Sequence, residues 1–307
     1  MGYLILKDYF LNRLNNARGK LWLLIAAVLT LISLVLHLGF LWQPSETVFD
    51  EVHFGRFASA YFTGAYYFDI HPPLGKLLIA LGAFLGGYLQ YVQDYGVFDF
   101  ENIGEPYGQA PFVWFRVLPA LAGSLIPLAV FCFARSLGLN QRASLLVMFG
   151  LVFENALLAH TRLALLDAFL LVFGFAGLAL FFFARNHGYS LWPLLLAGFS
   201  LSLSFSTKWT GLSFFGLAGL VMFYDFVKGR RKQVNSSRSV FLAKFFLVMV
   251  AVPLAVYYSV FVAHFRLLPD NGPGMPYMTS DFRQGKLSLP QKFIELKIGR
   301  ASCRERV

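Results

Sequence analysis

The sequence predicts an all-α polytopic membrane protein, and three observations carry that prediction. Of its 307 residues 57% are hydrophobic and 14% charged, where soluble domains carry about 25% charged residues. The mean hydropathy is +0.61, more apolar surface than one soluble core hides. The apolar residues gather into stretches near the ~20 residues that cross a bilayer as a helix. Lys and Arg lie between these stretches, where topology signals belong. The net charge of +10 is therefore read as membrane orientation, and nucleic-acid binding is set aside.

Residues 1–20 form a basic N-terminus with Lys7, Arg13, Arg18 and Lys20, expected in the cytoplasm. Leu21–Trp42 is the first span. It is too long for a signal peptide, and Trp42-Gln43-Pro44-Ser45 is a poor cleavage site. The loop 44–111 is the longest between spans and holds Asp50, Glu51, Asp69, Asp94, Asp99, Glu101 and Glu105. Long structured loops are usually functional. Within it, Leu74–Tyr91 is apolar but Gly-rich. The further spans are Phe115–Phe133, Ala143–Leu158, Leu163–Ala184, Leu191–Ser206, Trp209–Val227 and Val240–Ala263. If Leu74–Tyr91 does not cross, Arg135, Arg142, Arg185 and the Lys228–Arg238 cluster all fall inside with the N-terminus. Leu74–Tyr91 is accordingly read as interfacial, giving seven spans across 21–297.

The last ten residues, IGRASCRERV, resemble the translation, in one frame, of a common sequencing-library adapter. Residues 298–307 are therefore excluded from the fold, and the gene is expected to run on past Lys297. Cys132 and Cys303 support neither a disulfide framework nor a metal site.

This topology collects ionisable residues at the outer face. Asp50 and Glu51 follow the first span, with His53 and His71 in the same loop. Arg116 opens the second span, Arg162 and Asp167 the fourth, and Lys208 closes the fifth. Ionisable groups at membrane depth are a functional hypothesis by default. Each also has a plainer reading. Asp50 and Glu51 could cap a helix over Val52–Phe62. Arg116 and Lys208 could snorkel to headgroups. Arg162 and Asp167 could pair, although a spacing of five is not ideal on a helix. His71 could simply start a helix before Pro72-Pro73, and Glu154-Asn155 could form a polar helix contact. Convergence on one face favours chemistry. A carboxylate can act as general base toward a hydroxyl, and Arg and Lys can hold a phosphate. Together they suit transfer from a lipid-linked phosphate donor. No Walker A run or dinucleotide fingerprint is present. The carboxylates and His71 could bind a divalent cation, but no ligand spacing demands one.

The stretch FDEVHFGRFASAYFTGAYYFDIHPPLGKLLIALGAFLGGY, Phe49–Tyr88, strongly resembles the protein O-mannosyltransferases, the dolichyl-phosphate-mannose–protein mannosyltransferase family of GT-C membrane glycosyltransferases. The resemblance continues through Phe115–Phe131, Glu154–Leu171, Ser206–Leu212 and His264–Met278. It implies a GT-C transmembrane bundle with interfacial helices in its first extracytoplasmic loop. It also implies inverting transfer of mannose from a polyprenyl-phosphate-mannose donor to Ser or Thr hydroxyls of translocated polypeptides, with membrane lipids and the translocon as neighbours. Carried over, Asp50 is the base and Glu51 a positioning carboxylate. Arg116, Lys208 and Arg162 become candidates for the donor phosphate, and His53, His71 and Asp167 shape the loop or bind substrate. Met275 stands where the family's GPGDAFMS-like segment has an acid. Eukaryotic members carry further spans and a soluble MIR domain beyond this stretch. Short loops suit a prokaryotic plasma membrane with the site outside; the alternative is the endoplasmic reticulum with the site in the lumen. Competing functions are a GT-C enzyme acting on lipid A or a cell-wall glycan, and a transporter. A transporter predicts mid-membrane charges and matching broken helices.

Overall fold

The computed structural model describes residues 17–228 and 238–302. Lys7, Arg13, Arg230, Arg231 and Lys232 lie outside these residues, as do residues 303–307 and the side chains of Arg18 and 298–302. The helices are α1 (Ala17–Leu38), α2 (Glu51–Thr63), α3 (Leu74–Leu85), α4 (Tyr88–Tyr95), α5 (Val113–Ser136), α6 (Gln141–Val152), α7 (Asn155–Thr161), α8 (Asp167–Asn186), α9 (Leu191–Thr207), α10 (Leu212–Val227), α11 (Arg238–Phe246), α12 (Val252–Leu267), α13 (Ser280–Arg283) and α14 (Leu289–Ser302). Among the described residues there is no strand, only two isolated bridges, Glu46 with Pro106 and Ala65 with Asp270.

Five helical stretches are long and apolar enough to cross a membrane: Gly19–Leu38, Val113–Ser136, Asp167–Asn186, Trp209–Val227 and Arg238–Leu267. The last joins α11 to α12 through a wider π turn at Leu247–Ala251, just before Pro253, which has no N–H to give the helix ladder. α9 is a shorter apolar helix of 17 residues. The expected third span, Ala143–Leu158, is broken: α6 and α7 meet at 58°. Glu154, for which a polar helix contact is one plain reading, caps α7 by accepting from the Ala156 and Leu157 amides.

Leu74–Tyr91 is also two helices, with α3 and α4 meeting at 77°. The break falls at Gly86-Gly87, where Gly87 has φ +79°, a left-handed conformation that glycine adopts without a Cβ clash. The 12 residues of α3 reach only about 18 Å at 1.5 Å per residue, short of the ~30 Å hydrocarbon core.

α8 is the central helix, packed along α5 on one side and α9 on the other. Gly177 permits the second approach, since a Cβ there would meet the Leu201 backbone N at 3.0 Å. α1 and α6 pack on α5, and α12 packs on α9. The chain thus alternates between a loop end, holding residues 39–112, 162–166, 208–211 and 268–297, and an opposite end. At the opposite end Asn186 Nδ2 bonds the Ser136 carbonyl at 2.7 Å, and Lys244 Nζ bonds the Tyr189 carbonyl at 2.9 Å. Outward-facing Leu24, Leu31, Val35, Leu146, Leu220 and Leu254 are all more than half exposed, as lipid contact requires. This is an integral, multi-pass membrane protein.

Candidate active site at the loop end

The site is built on an ion pair. Glu51 is 0% exposed and Arg116 is 1% exposed. Arg116 Nε donates to Glu51 Oε1 and Nη2 to Oε2, each at 2.7 Å. Its remaining donors go to the carbonyls of Leu41 (3.1 Å), Pro44 (2.7 Å) and Glu46 (3.1 Å). A guanidinium has five N–H donors, so all of them are engaged. Glu51 also accepts from the Val48 amide at 3.1 Å and the Ala164 amide at 2.9 Å. Tyr107 O–H adds a longer contact of 3.4 Å. Burial, reinforced by the Glu51 charge, pushes the Tyr107 hydroxyl pKa up, so it remains a donor. This pair ties the end of α1, the start of α2, the start of α5 and the 162–166 loop together.

Asp50 sits one residue earlier, at the N-cap position of α2. It stands where the plainer reading of a helix cap would have it, but its side chain makes no capping hydrogen bond. It is half-buried, and among the described residues it is the acid of this site whose carboxylate has no hydrogen bond or ion pair. Phe49 before it holds φ +50°, a conformation costing a non-glycine residue on the order of 1 kcal/mol. The buried pair on the other side over-determines that geometry.

Around Asp50 the chain gathers two more ion pairs. Lys208 Nζ bonds both oxygens of Asp167, at 2.7 and 2.9 Å. Asp167 therefore pairs with Lys208 and not with Arg162, so the plainer reading of Arg162 and Asp167 as a pair does not hold. Arg162 turns away to the Gly39 carbonyl, leaving its buried Nε without a partner. Lys76, 1% exposed, pairs with Asp69, donates to the His71 carbonyl at 2.9 Å, and lies 5.5 Å above the Phe57 ring. His71 packs on Phe54 with ring centroids 6.2 Å apart, and its buried Nδ1 has no partner. Burial pushes its imidazole pKa below the usual range; Asp69 opposes this, Lys76 and Lys208 reinforce it, and Asp167 opposes it slightly. His53 is exposed on α2.

A small cavity lies beside the Asp69–Lys76 pair, lined by Tyr67, Asp69, His71, Lys76, Phe261 and His264, among others. One wall is a chain of hydrogen bonds, Tyr67 O–H to Tyr61 O–H at 2.7 Å and Tyr61 to His264 Nδ1 at 2.9 Å. The His264–Met278 segment is held here by its backbone. Gly274 N–H donates to the Tyr66 carbonyl at 2.9 Å, and a Cβ on Gly274 would meet the Phe68 amide N at 2.5 Å. Met275 opens a short 3-10 turn in this docked segment. Among the described residues, no three His, Cys, Asp or Glu side chains gather as a metal site would require.

The family model for dolichyl-phosphate-mannose–protein mannosyltransferase matches residues 27–269. The chain belongs to that family. Mannosyltransferase 4 of Candida albicans is 35% identical over 280 residues, covering 86% of this chain and 36% of that protein. Mannosyltransferase 1 of Saccharomyces cerevisiae is 34% identical over 272 residues, covering 85% and 32%. Protein O-mannosyltransferase 1 of Drosophila melanogaster is 36% identical over 247 residues, covering 78% and 27%. A solved structure of the S. cerevisiae Pmt1–Pmt2 complex bound to the sugar donor superposes with a TM-score of 0.77 at 32% identity, covering 86% of this chain and 36% of that one. The bundle is thus the GT-C type expected for a mannosyltransferase. The chain spans about a third of the length of these relatives. They come from fungi and a fly, and give the expected prokaryotic membrane no support.

Four residues at this site escaped the sequence reading as site residues: Lys76, Asp69, His160 and His264. Lys76 carried a signal, since it lies in the apolar run after His71-Pro72-Pro73, where a buried charge needs a partner. The others are spread over the chain, and only the fold brings them together.

Proposed function

We propose that this chain forms the catalytic core of a polyprenyl-phosphate-mannose–protein mannosyltransferase, with Asp50 as the base. The observation that supports this most is the contrast within Asp50-Glu51. Glu51 is fully engaged and buried, whereas the Asp50 carboxylate is partnerless and partly open. A base must be free to reach a substrate proton. In the reaction the acceptor Ser or Thr oxygen bonds to mannose C1 as Asp50 takes the hydroxyl proton. The bond from C1 to the phosphate oxygen breaks from the opposite face, inverting C1, and its electron pair leaves on the phosphate. Lys208 meets that charge, while Arg162, turned to the Gly39 carbonyl, gives up the phosphate-binding role expected of it. The expectation that Arg116 also holds the phosphate gives way here to a positioning role, because its donors are engaged by Glu51 and three carbonyls. The eukaryotic relatives favour the endoplasmic reticulum membrane, with the loop end in the lumen.

The test uses the full-length gene, membranes, dolichyl-phosphate-mannose and a Ser/Thr-rich peptide. Asp50→Asn should lower kcat about 10²- to 10⁴-fold, the usual worth of a general base, with a normal amount of inserted protein. Turnover within a few-fold of the parent would remove Asp50 from the role.

A further inference from the structure

His160 stands in the last turn of α7, 43% exposed. We propose that His160 is a positioning residue for the lipid donor, taking over the Asp167 carboxylate when the donor phosphate claims Lys208. The inference rests on the reading above that Lys208 meets the phosphate.

An ammonium has three donors, and Lys208 gives two of its contacts to Asp167. Its charge is thereby balanced. A polyprenyl-phosphate sugar is a phosphodiester carrying one negative charge. Bringing that charge to Lys208 Nζ also brings it beside the Asp167 carboxylate, and like charges at such range repel. Donor binding therefore needs a second hydrogen-bond donor to meet Asp167.

The neighbouring basic groups are committed elsewhere. Lys76 is paired with Asp69, Arg162 reaches the Gly39 carbonyl, and Arg116 is spent on Glu51 and carbonyls. His71 faces the Lys208–Asp167 pair, but burial disfavours its charged form. His160 differs from these. Its Nδ1 lies 3.8 Å from Asp167 Oδ2, beyond a hydrogen bond but close enough for a small side-chain movement to make one. Its ring lies 6.4 Å from that of Phe49, the residue before Asp50, so the movement occurs at the edge of the reacting centre.

The experiment measures initial rates with the full-length protein in membranes, varying dolichyl-phosphate-mannose at saturating Ser/Thr-rich peptide. His160→Ala should raise the donor KM about tenfold, the worth of a hydrogen bond to a charged group, with kcat changed by less than about threefold. His160→Gln, which can hydrogen-bond without charge, should fall between. In an Asp167→Asn background His160→Ala should have no further effect, because no carboxylate charge remains to be met. Should Asp167→Asn fail to accumulate, the order parent, His160→Gln, His160→Ala in donor KM still decides. An unchanged donor KM in His160→Ala, while Lys208→Met raises it, overturns the inference and leaves the phosphate reading standing. An unchanged donor KM in Lys208→Met overturns both.

Discussion

Each end of the bundle buries a carboxylate against an arginine, and the two pairs differ in their surroundings. At the loop end Glu51 and Arg116 are 0% and 1% exposed. At the opposite end Asp225 of α10 is 0% exposed and Arg185 of α8 is 17% exposed. Arg185 bonds both Asp225 oxygens, at 2.6 and 3.0 Å, and Tyr189 O–H donates to the same carboxylate at 2.8 Å. By geometry alone both look like functional sites. The difference is the next carboxylate. Beside Glu51 stands the unpartnered Asp50, with the Asp167–Lys208 and Asp69–Lys76 pairs around it. Beside Asp225 the partners are Tyr189 and, through its carbonyl, Lys244. A buried ion pair therefore marks where helices are fastened, and the unpaired acid beside it marks where a substrate can be met.

The sharpest way to break this comparison is to remove each carboxylate in turn. Glu51→Ala strands the Arg116 charge with no route to water, which costs about 3–5 kcal/mol. It should lower the thermal midpoint in detergent most and abolish transfer, because it releases the loop carrying Asp50. Equal stability losses at the two ends would mean that the burial of Arg116 has no special weight. Asp225→Ala leaves an arginine that can partly hydrate, at a smaller expected cost of about 1–3 kcal/mol. Its thermal midpoint should fall less, and the donor KM of the protein that remains should match the parent. A raised donor KM in Asp225→Ala would show that the opposite end is coupled to the site.

Much of the bundle is legible in the sequence because lipid imposes a simple demand. Apolar runs such as Trp209–Val227 have to be helices when no water satisfies their backbone. The breaks are harder to read. Ala143–Leu158 looks continuous by hydropathy, yet Glu154 caps a new helix within it. The expected fourth span opens at Leu163, but residues 163–166 are not helical, and the Ala164 amide is given to Glu51 instead. The site shows the same division. The position of Asp50-Glu51 after a span pointed to chemistry, but which acid is free and which is fastened depends on Arg116, 65 residues away in sequence. The Asp167–Lys208 pair was likewise hidden, because its members are 41 residues apart. Asp225 was overlooked, although an acid inside an apolar span signals a partner.

The smallest expected effect concerns His71 and the acid side of the stability profile. Its pKa is lowered in the folded protein, chiefly by burial, so the unfolded chain binds the proton more readily. Stability contributed by the neutral imidazole is then complete above the ordinary histidine value of 6.5. It falls as pH drops through that value, and the loss levels off below the folded pKa. The measurement is the thermal midpoint of the detergent-solubilised protein between about pH 7.5 and 5, in the parent and in His71→Gln. The parent should lose more stability on acidification than the variant, and the difference should disappear above about pH 7. Parallel curves would mean that the His71 proton is accommodated in the fold. The unpartnered Nδ1 would then have to find an acceptor when protonated, with Asp69, the largest influence opposing its shift, the group to examine next.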